Sequence, residues 1–340
     1  MDIKLFSLAF CGLSLASCST EDMTKSEVNE LANTQNITFD AEFLSKLPNF
    51  IDDGSFCSGS GLEMAKSGNM RYALPHFKAD LATPRKAEIF SGEGQKYSEI
   101  LSEYEFGALK GYGGGLYGTF TGMFWKQKIP QVEAYKLFPI KRDNPGLSHL
   151  TNEELWEFEW KKRALCLTSA LNKLYKHDVA AGAKPVKHLY RGKALVQSKI
   201  DPYVAGKVKV EDAFTSTSYK KSVAHDFSGL GDDASDTSEF NNCINEKEKE
   251  GKVTNEVVEI CKKAAKKQPV LFIYTIPNSK LSSGAELGNM KVFDEAEILL
   301  PPRTKMLVKS VEKKVDYSYK NKEGKDVSGD MIVINIEIQK

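Results

Sequence analysis

Apolar residues follow two different periods along this chain. Between Thr151 and Lys176 they recur every three or four positions. Trp156, Trp160, Ala164, Leu167, Leu171 and Leu174 fall in one stripe, which predicts a helix with one buried face. Thr151 and Glu154 supply its capping box. A second helix is predicted over 96–110, with Tyr97, Leu101, Tyr104 and Ala108 on one side. After residue 186 the period shortens. Val186–Tyr190, Ala213–Phe214, Val270–Ile276, Ala296–Leu300, Met306–Val311 and Met331–Ile338 are β-type runs bounded by Gly, Pro or polar turns. The last two flank Lys320–Gly329 and predict a hairpin with a long loop. Residues 231–268 interrupt the strands, acidic at the front (Asp232, Asp233, Asp236, Glu239) and basic at the end (Lys262, Lys263, Lys266, Lys267). Val253, Val257, Ile260 and Ala264 give that end a helical face, so the segment reads as an inserted surface excursion with solvated charges. Helices first and strands afterwards predict an α+β fold.

The N-terminus has a different character. Lys4 precedes the apolar stretch Leu5–Ala16, which is too short for a membrane helix and suits a signal peptide over 1–17. Leu15-Ala16-Ser17-Cys18 resembles a bacterial lipobox, which would make Cys18 the acylated first residue of the mature chain. The plainer alternative is a secretory signal cut after Ser17. Residues 18–40 are polar and read as lipid anchor and tether. Residues 41–95, with Pro48, Pro75 and Pro84, read as short helices and loops. This organisation predicts a cell-envelope lipoprotein, attached to the membrane through lipid and exposed at the surface or outside the cell.

Composition narrows the classes. Hydrophobic residues at 41% and charged residues at 27% are those of a globular chain, and a net charge of +1 argues against a nucleic-acid partner. Beyond Cys18 the mature chain keeps Cys57, Cys166, Cys243 and Cys261, which permit three pairings. Cys243 with Cys261 closes a local loop and is the favoured disulfide; Cys166, in the strongly helical stretch, reads as a buried thiol. The five histidines are scattered and no C-x-x-C occurs, so no metal site is expected. Gly113, Gly115 and Gly118 spell G-x-G-x-x-G, but the preceding segment has helical period where a dinucleotide-binding turn needs a strand. The glycines read instead as a junction between helices.

Three short pieces carry chemistry. Leu189-Tyr190-Arg191-Gly192 ends a strand on an arginine, Phe214-Thr215-Ser216-Thr217-Ser218 follows, and Glu295-Ala296-Glu297-Ile298-Leu299-Leu300-Pro301 comes much later. On a strand, residues two apart share a side, so Glu295 and Glu297 form one pair and Ser216 and Ser218 another. A guanidinium is a fixed fork of donors suited to phosphate. One such arginine, orienting hydroxyls and paired carboxylates suit an anionic substrate whose reaction develops positive charge.

These ordered motifs resemble the mono-ADP-ribosyltransferases of the Arg-Ser-Glu class, which include clostridial binary-toxin components and vertebrate arginine-specific ecto-enzymes. The resemblance covers about 96–340, with 231–268 as an insertion, and implies N-terminal helices followed by a mixed two-sheet β core. It implies that NAD is a substrate, with no further cofactor, and that a protein with an accessible arginine is the acceptor. Arg191 would hold the NAD phosphate, with Gly192, Thr217 and Ser218 lining the same site. Ser216 would orient Glu297, and Glu297 would contact the nicotinamide-side ribose. Phe227 would stack on nicotinamide. Phe293 and Glu295 would recognise the acceptor, Glu295 pointing to arginine. An NAD glycohydrolase on the same residues, or a non-catalytic surface-binding lipoprotein, are the alternatives.

Overall fold

The computed structural model describes residues 30, 57, 99–112, 151–180, 186–232, 234–251, 253–276, 285–286, 297–321 and 324–339. The signal segment, Cys18, the G-x-G-x-x-G stretch, Phe293 and Glu295 lie outside them.

Two helices come first. Helix α1 (Glu103–Gly111) starts seven residues later than its apolar spacing predicts, because Ser102 and Glu105 close a reciprocal capping box there. Helix α2 (Asn152–Ala180) begins as predicted, with the Thr151 hydroxyl accepting from the Glu154 N–H and the Glu154 carboxylate accepting from the Thr151 N–H. Its stripe from Trp160 to Leu174 is buried. The fully buried Glu105 of α1 reaches across to α2, accepting from the Ser169 hydroxyl at 2.6 Å and the Lys173 amine at 3.0 Å. Burying a carboxylate is costly unless it is paired and hydrogen-bonded in this way. Cys166 is not a thiol: it is bonded to Cys57, with Cα atoms 5.6 Å apart. Its partner lies 109 residues away in a stretch with no periodic signal, which is why the pairing escaped. The Ser102 hydroxyl also donates to the Cys57 carbonyl, tying that residue to the start of α1.

The strands follow. They are β1 (His188–Leu195), β2 (Val208–Glu211), β3 (Thr215–Ser218), β4 (Gln268–Thr275), β5 (Ala285–Glu286), β6 (Glu297–Leu300), β7 (Thr304–Lys320) and β8 (Asp326–Ile338). Helix α3 (Gln197–Ile200) follows β1, and α4 (Lys221–Asp226) follows β3. Strand β3 starts after Ala213 and Phe214, both buried, because ladder pairing begins at Thr215 opposite Leu300. Half of the predicted long loop, Lys320 and 326–329, is strand: β7 and β8 pair out to Lys320 and Asp326. Their outer stretches are polar on one side, which hides the strand signal, while Tyr317, Tyr319 and Val327 pack on the other.

The strands join in one order, β2-β7-β8-β4-β1-β3-β6-β5, rather than in two separate sheets. Among the described strands only β4 with β8 is parallel. One face carries the larger core, with Leu189, Phe272, Ile298, Met306, Ile334 and Ile336. The other carries Ala224, Leu230, Leu271, Met331 and Val333. Between β3 and β4 the chain makes helices α5 (Thr237–Lys249) and α6 (Asn255–Ala265), linked by the Cys243–Cys261 disulfide.

Candidate active site at the joint between beta1 and beta3

The three motif segments come to lie on three successive strands, β1, β3 and β6. Strand β1 shares eight registered pairs with β4, and β3 shares four with β6. Between β1 and β3 there is one, Tyr190 with Ser218. Ser218 in turn stands directly opposite Glu297. Residues opposite each other in a ladder share a face, so Tyr190, Ser218 and Glu297 form a row across the joint. Ser216 is one step along the same face, opposite Leu299. It is thus Ser218, and not Ser216, that the register sets against Glu297.

Glu297 is 2% exposed and opens β6, a strand buried along its whole length. The Ser218 hydroxyl accepts from the Lys220 N–H at 3.0 Å. Thr217 turns to the other face, where its hydroxyl donates to the Ile298 carbonyl at 2.6 Å. That bond fastens β3 to β6.

Arg191 lies beside the row but points away from it. The motifs predict one common cleft for Arg191 and Glu297, and the ladder places their side chains on opposite faces of the sheet. The cause is the period of two. Leu189 must enter the larger core, so Arg191 leaves β1 on that same face, opposite Phe272. There it hydrogen-bonds the Tyr274 hydroxyl.

Gly192 explains how α4 sits. A Cβ at this position would come 1.6 Å from the Ala224 carbonyl oxygen, so helix and strand approach backbone to backbone. Helix α4 ends at Phe227, which is 57% exposed. Behind it, His225 is buried, with Nε2 2.9 Å from the Tyr317 hydroxyl and its ring 4.4 Å from that of Tyr319. Burial, and secondarily the Lys221 charge, lower the His225 pKa to about 4. The neutral imidazole thereby clips α4 to the long hairpin. Sequence reasoning missed this contact; the alternation Tyr317-Ser318-Tyr319 was its available signal.

No protein-family model matches the chain, and no curated protein matches it. Among solved structures it is similar to Vis toxin, an ADP-ribosyltransferase from Vibrio splendidus, at 18% identity over 80% of this chain and 91% of that one, with a TM-score of 0.40. It is similar to the Salmonella SpvB ATR domain at 16% identity, over 69% and 98%, with a TM-score of 0.41. The enzymatic component C2-I of the Clostridium botulinum C2 toxin matches at 17% identity, over 78% and 49%, with a TM-score of 0.38. At such identities and scores the residues of the joint, not the likeness, must carry the chemistry.

Proposed function

We propose that this protein cleaves the nicotinamide–ribose bond of NAD and transfers ADP-ribose to an arginine side chain of a protein acceptor. What supports it is one observation: three motif segments far apart in the chain meet on adjacent strands, with Ser218 between Tyr190 and Glu297. Breaking an N-glycosidic bond leaves positive charge on the ribose, as in glycoside hydrolysis. The Glu297 carboxylate, fixed at the head of β6, stabilises that charge as it develops. Ser218 orients the carboxylate, and nicotinamide departs neutral, so no strong acid is needed.

In this reading the nicotinamide ribose meets Ser218 and Glu297 on one face of the joint. Arg191, on the opposite face against Tyr274, stands outside these contacts. Glu295 orients the acceptor guanidinium and takes its proton as the new bond forms. A guanidinium otherwise stays protonated and non-nucleophilic, its pKa being above ~12. Cys18 would anchor the enzyme in the envelope, which protease treatment of intact cells tests: a protected mature domain rules out display at the surface.

The catalytic test uses NAD labelled in both halves, with and without agmatine as an arginine-like acceptor. Wild-type protein is expected to release nicotinamide and label agmatine, and Glu297→Gln to do neither. Nicotinamide release without labelling would make it a glycohydrolase. Equal release by wild type and Glu297→Gln would overturn the assignment.

A further inference from the structure

Beyond their ladders with β2 and β4, the outer parts of β7 and β8 pair only with each other among the described residues. A two-stranded ribbon has little stability of its own, and this one lies against α4. A bulge decides which side chains it offers there. Ser310, Glu312 and Lys314 stand opposite Asn335, Val333 and Met331, on the face that carries α4. Between Lys314 and Tyr317 the register then slips, three steps along β7 matching the two from Met331 to Gly329. Asp316, inside the slip, has a φ of 52°. Alternation without the slip would turn Asp316 and Ser318 towards α4; with it, Tyr317 and Tyr319 face the helix. Positive φ at a residue other than glycine is a backbone cost, retained where the surroundings demand it.

The two tyrosines hold the far end of α4. The Tyr317 hydroxyl lies 2.9 Å from His225 Nε2, and the Lys221 amine lies 5.7 Å from the Tyr317 ring centre. The Tyr319 hydroxyl donates to Asp226 Oδ1 at 3.5 Å. The near end of α4 belongs to the catalytic row. Lys220, its N-cap, donates its N–H to the Ser218 hydroxyl at 3.0 Å. A hydroxyl that accepts in this way still has one proton to donate, and Glu297 is the ladder neighbour of Ser218. Midway, α4 rests on the Gly192 backbone through Ala224. That contact sets the distance from helix to strand but leaves the helix able to rock. Helix α4 has six residues, too few to keep its own geometry. Its tilt therefore depends on the grip of the ribbon.

We infer that Tyr317 is a positioning residue for the catalytic row: through His225 it fixes the tilt of α4, and α4 fixes the Ser218 hydroxyl beside Glu297. This rests on the NAD reading above. The bulge at Asp316 is what brings Tyr317 to that task, from a part of the hairpin that touches none of the reacting groups.

The experiment measures steady-state NAD cleavage and amide hydrogen exchange on the full chain at neutral pH. Tyr317→Phe keeps the ring and removes the hydroxyl, and His225→Leu removes the imidazole. Each should lower kcat about tenfold with the KM for NAD within about twofold of wild type, because orientation and not binding is lost. The double variant should lose no more than either single one, since both break one contact. His225→Gln restores a polar partner for the hydroxyl and should stay within about threefold of wild type. Exchange at 221–227 should quicken in Tyr317→Phe, with an unfolding midpoint within about 5 °C of wild type. An unchanged kcat in Tyr317→Phe, losses that multiply in the double variant, or a glutamine variant as slow as the leucine one overturns the inference. Should the leucine variant not fold, Tyr317→Phe against His225→Gln decides alone. Wild type that cleaves no NAD sinks the NAD reading; quickened exchange in Tyr317→Phe then retains the hold on α4, and unchanged exchange sinks both.

Discussion

The two halves of the sheet are made differently. On one side of the joint, β7, β8, β4 and β1 interlock through long ladders, with the four-residue β2 at the edge, and β7 and β8 run 17 and 13 residues. On the other, β3, β6 and β5 have 4, 4 and 2 residues. The long half is stabilised by apolar area: Val270, Phe272, Ile334 and Ile336 are buried between ladder partners on both sides. The short half contains Thr215, Ser216, Thr217, Ser218 and Glu297, which contribute little of that kind. Its apolar share comes from β6, where Ile298, Leu299 and Leu300 are buried, while hydroxyl bonds such as Thr217 to Ile298 hold β3 beside it. A polar strand can thus be kept buried if a larger sheet supplies the stability it lacks.

That contrast can be broken from either side. Ile334→Ala, in the long half, should cost about 2–5 kcal/mol by urea unfolding while leaving turnover per folded molecule unchanged. Glu297→Gln, in the short half, should reverse the pattern, with an unfolding midpoint close to wild type and NAD cleavage reduced about 100-fold or more. Gly192→Ala tests the joint itself. Its Cβ cannot coexist with the Ala224 carbonyl, so α4 must move, at about 1–3 kcal/mol by thermal unfolding and with impaired NAD cleavage. The smallest effect is the clip behind α4. The His225 pKa is about 4 in the folded chain against an ordinary 6.5, so the unfolded chain binds this proton first as pH falls. Its share of stability is present above pH 6.5 and lost between 6.5 and about 4. Thermal unfolding across that window should show a shallower loss for His225→Gln than for wild type.

Much of the architecture could be read in the residues. The stripe from Trp160 to Leu174 and the Thr151–Glu154 box mark α2, and the β-type runs after residue 186 mark most strands. The local spacing of Cys243 and Cys261 pointed to their bond. What stayed hidden was long-range or polar. Cys57 sits in a stretch without period, and the outer parts of β7 and β8 look like loop because one side is charged. The side taken by Arg191 was legible after all. Leu189 is an obligate core residue and Arg191 shares its face, whereas a three-motif pattern treats its members as one set and ignores alternation. Ser218, rather than Ser216, meeting Glu297 depends on ladder register, which strand lengths alone do not determine.

The α5–α6 excursion leaves and rejoins the body at almost one point. Ser235 bridges Lys266, the Asp236 N–H donates to the Ala265 carbonyl at 2.9 Å, and the Lys267 N–H donates to the Ala234 carbonyl at 2.9 Å. Such a closed neck makes the segment a natural cassette. A splice across it need span only the width of two neighbouring strands, about 5 Å, so foreign helical hairpins can be grafted there without asking the sheet to rearrange.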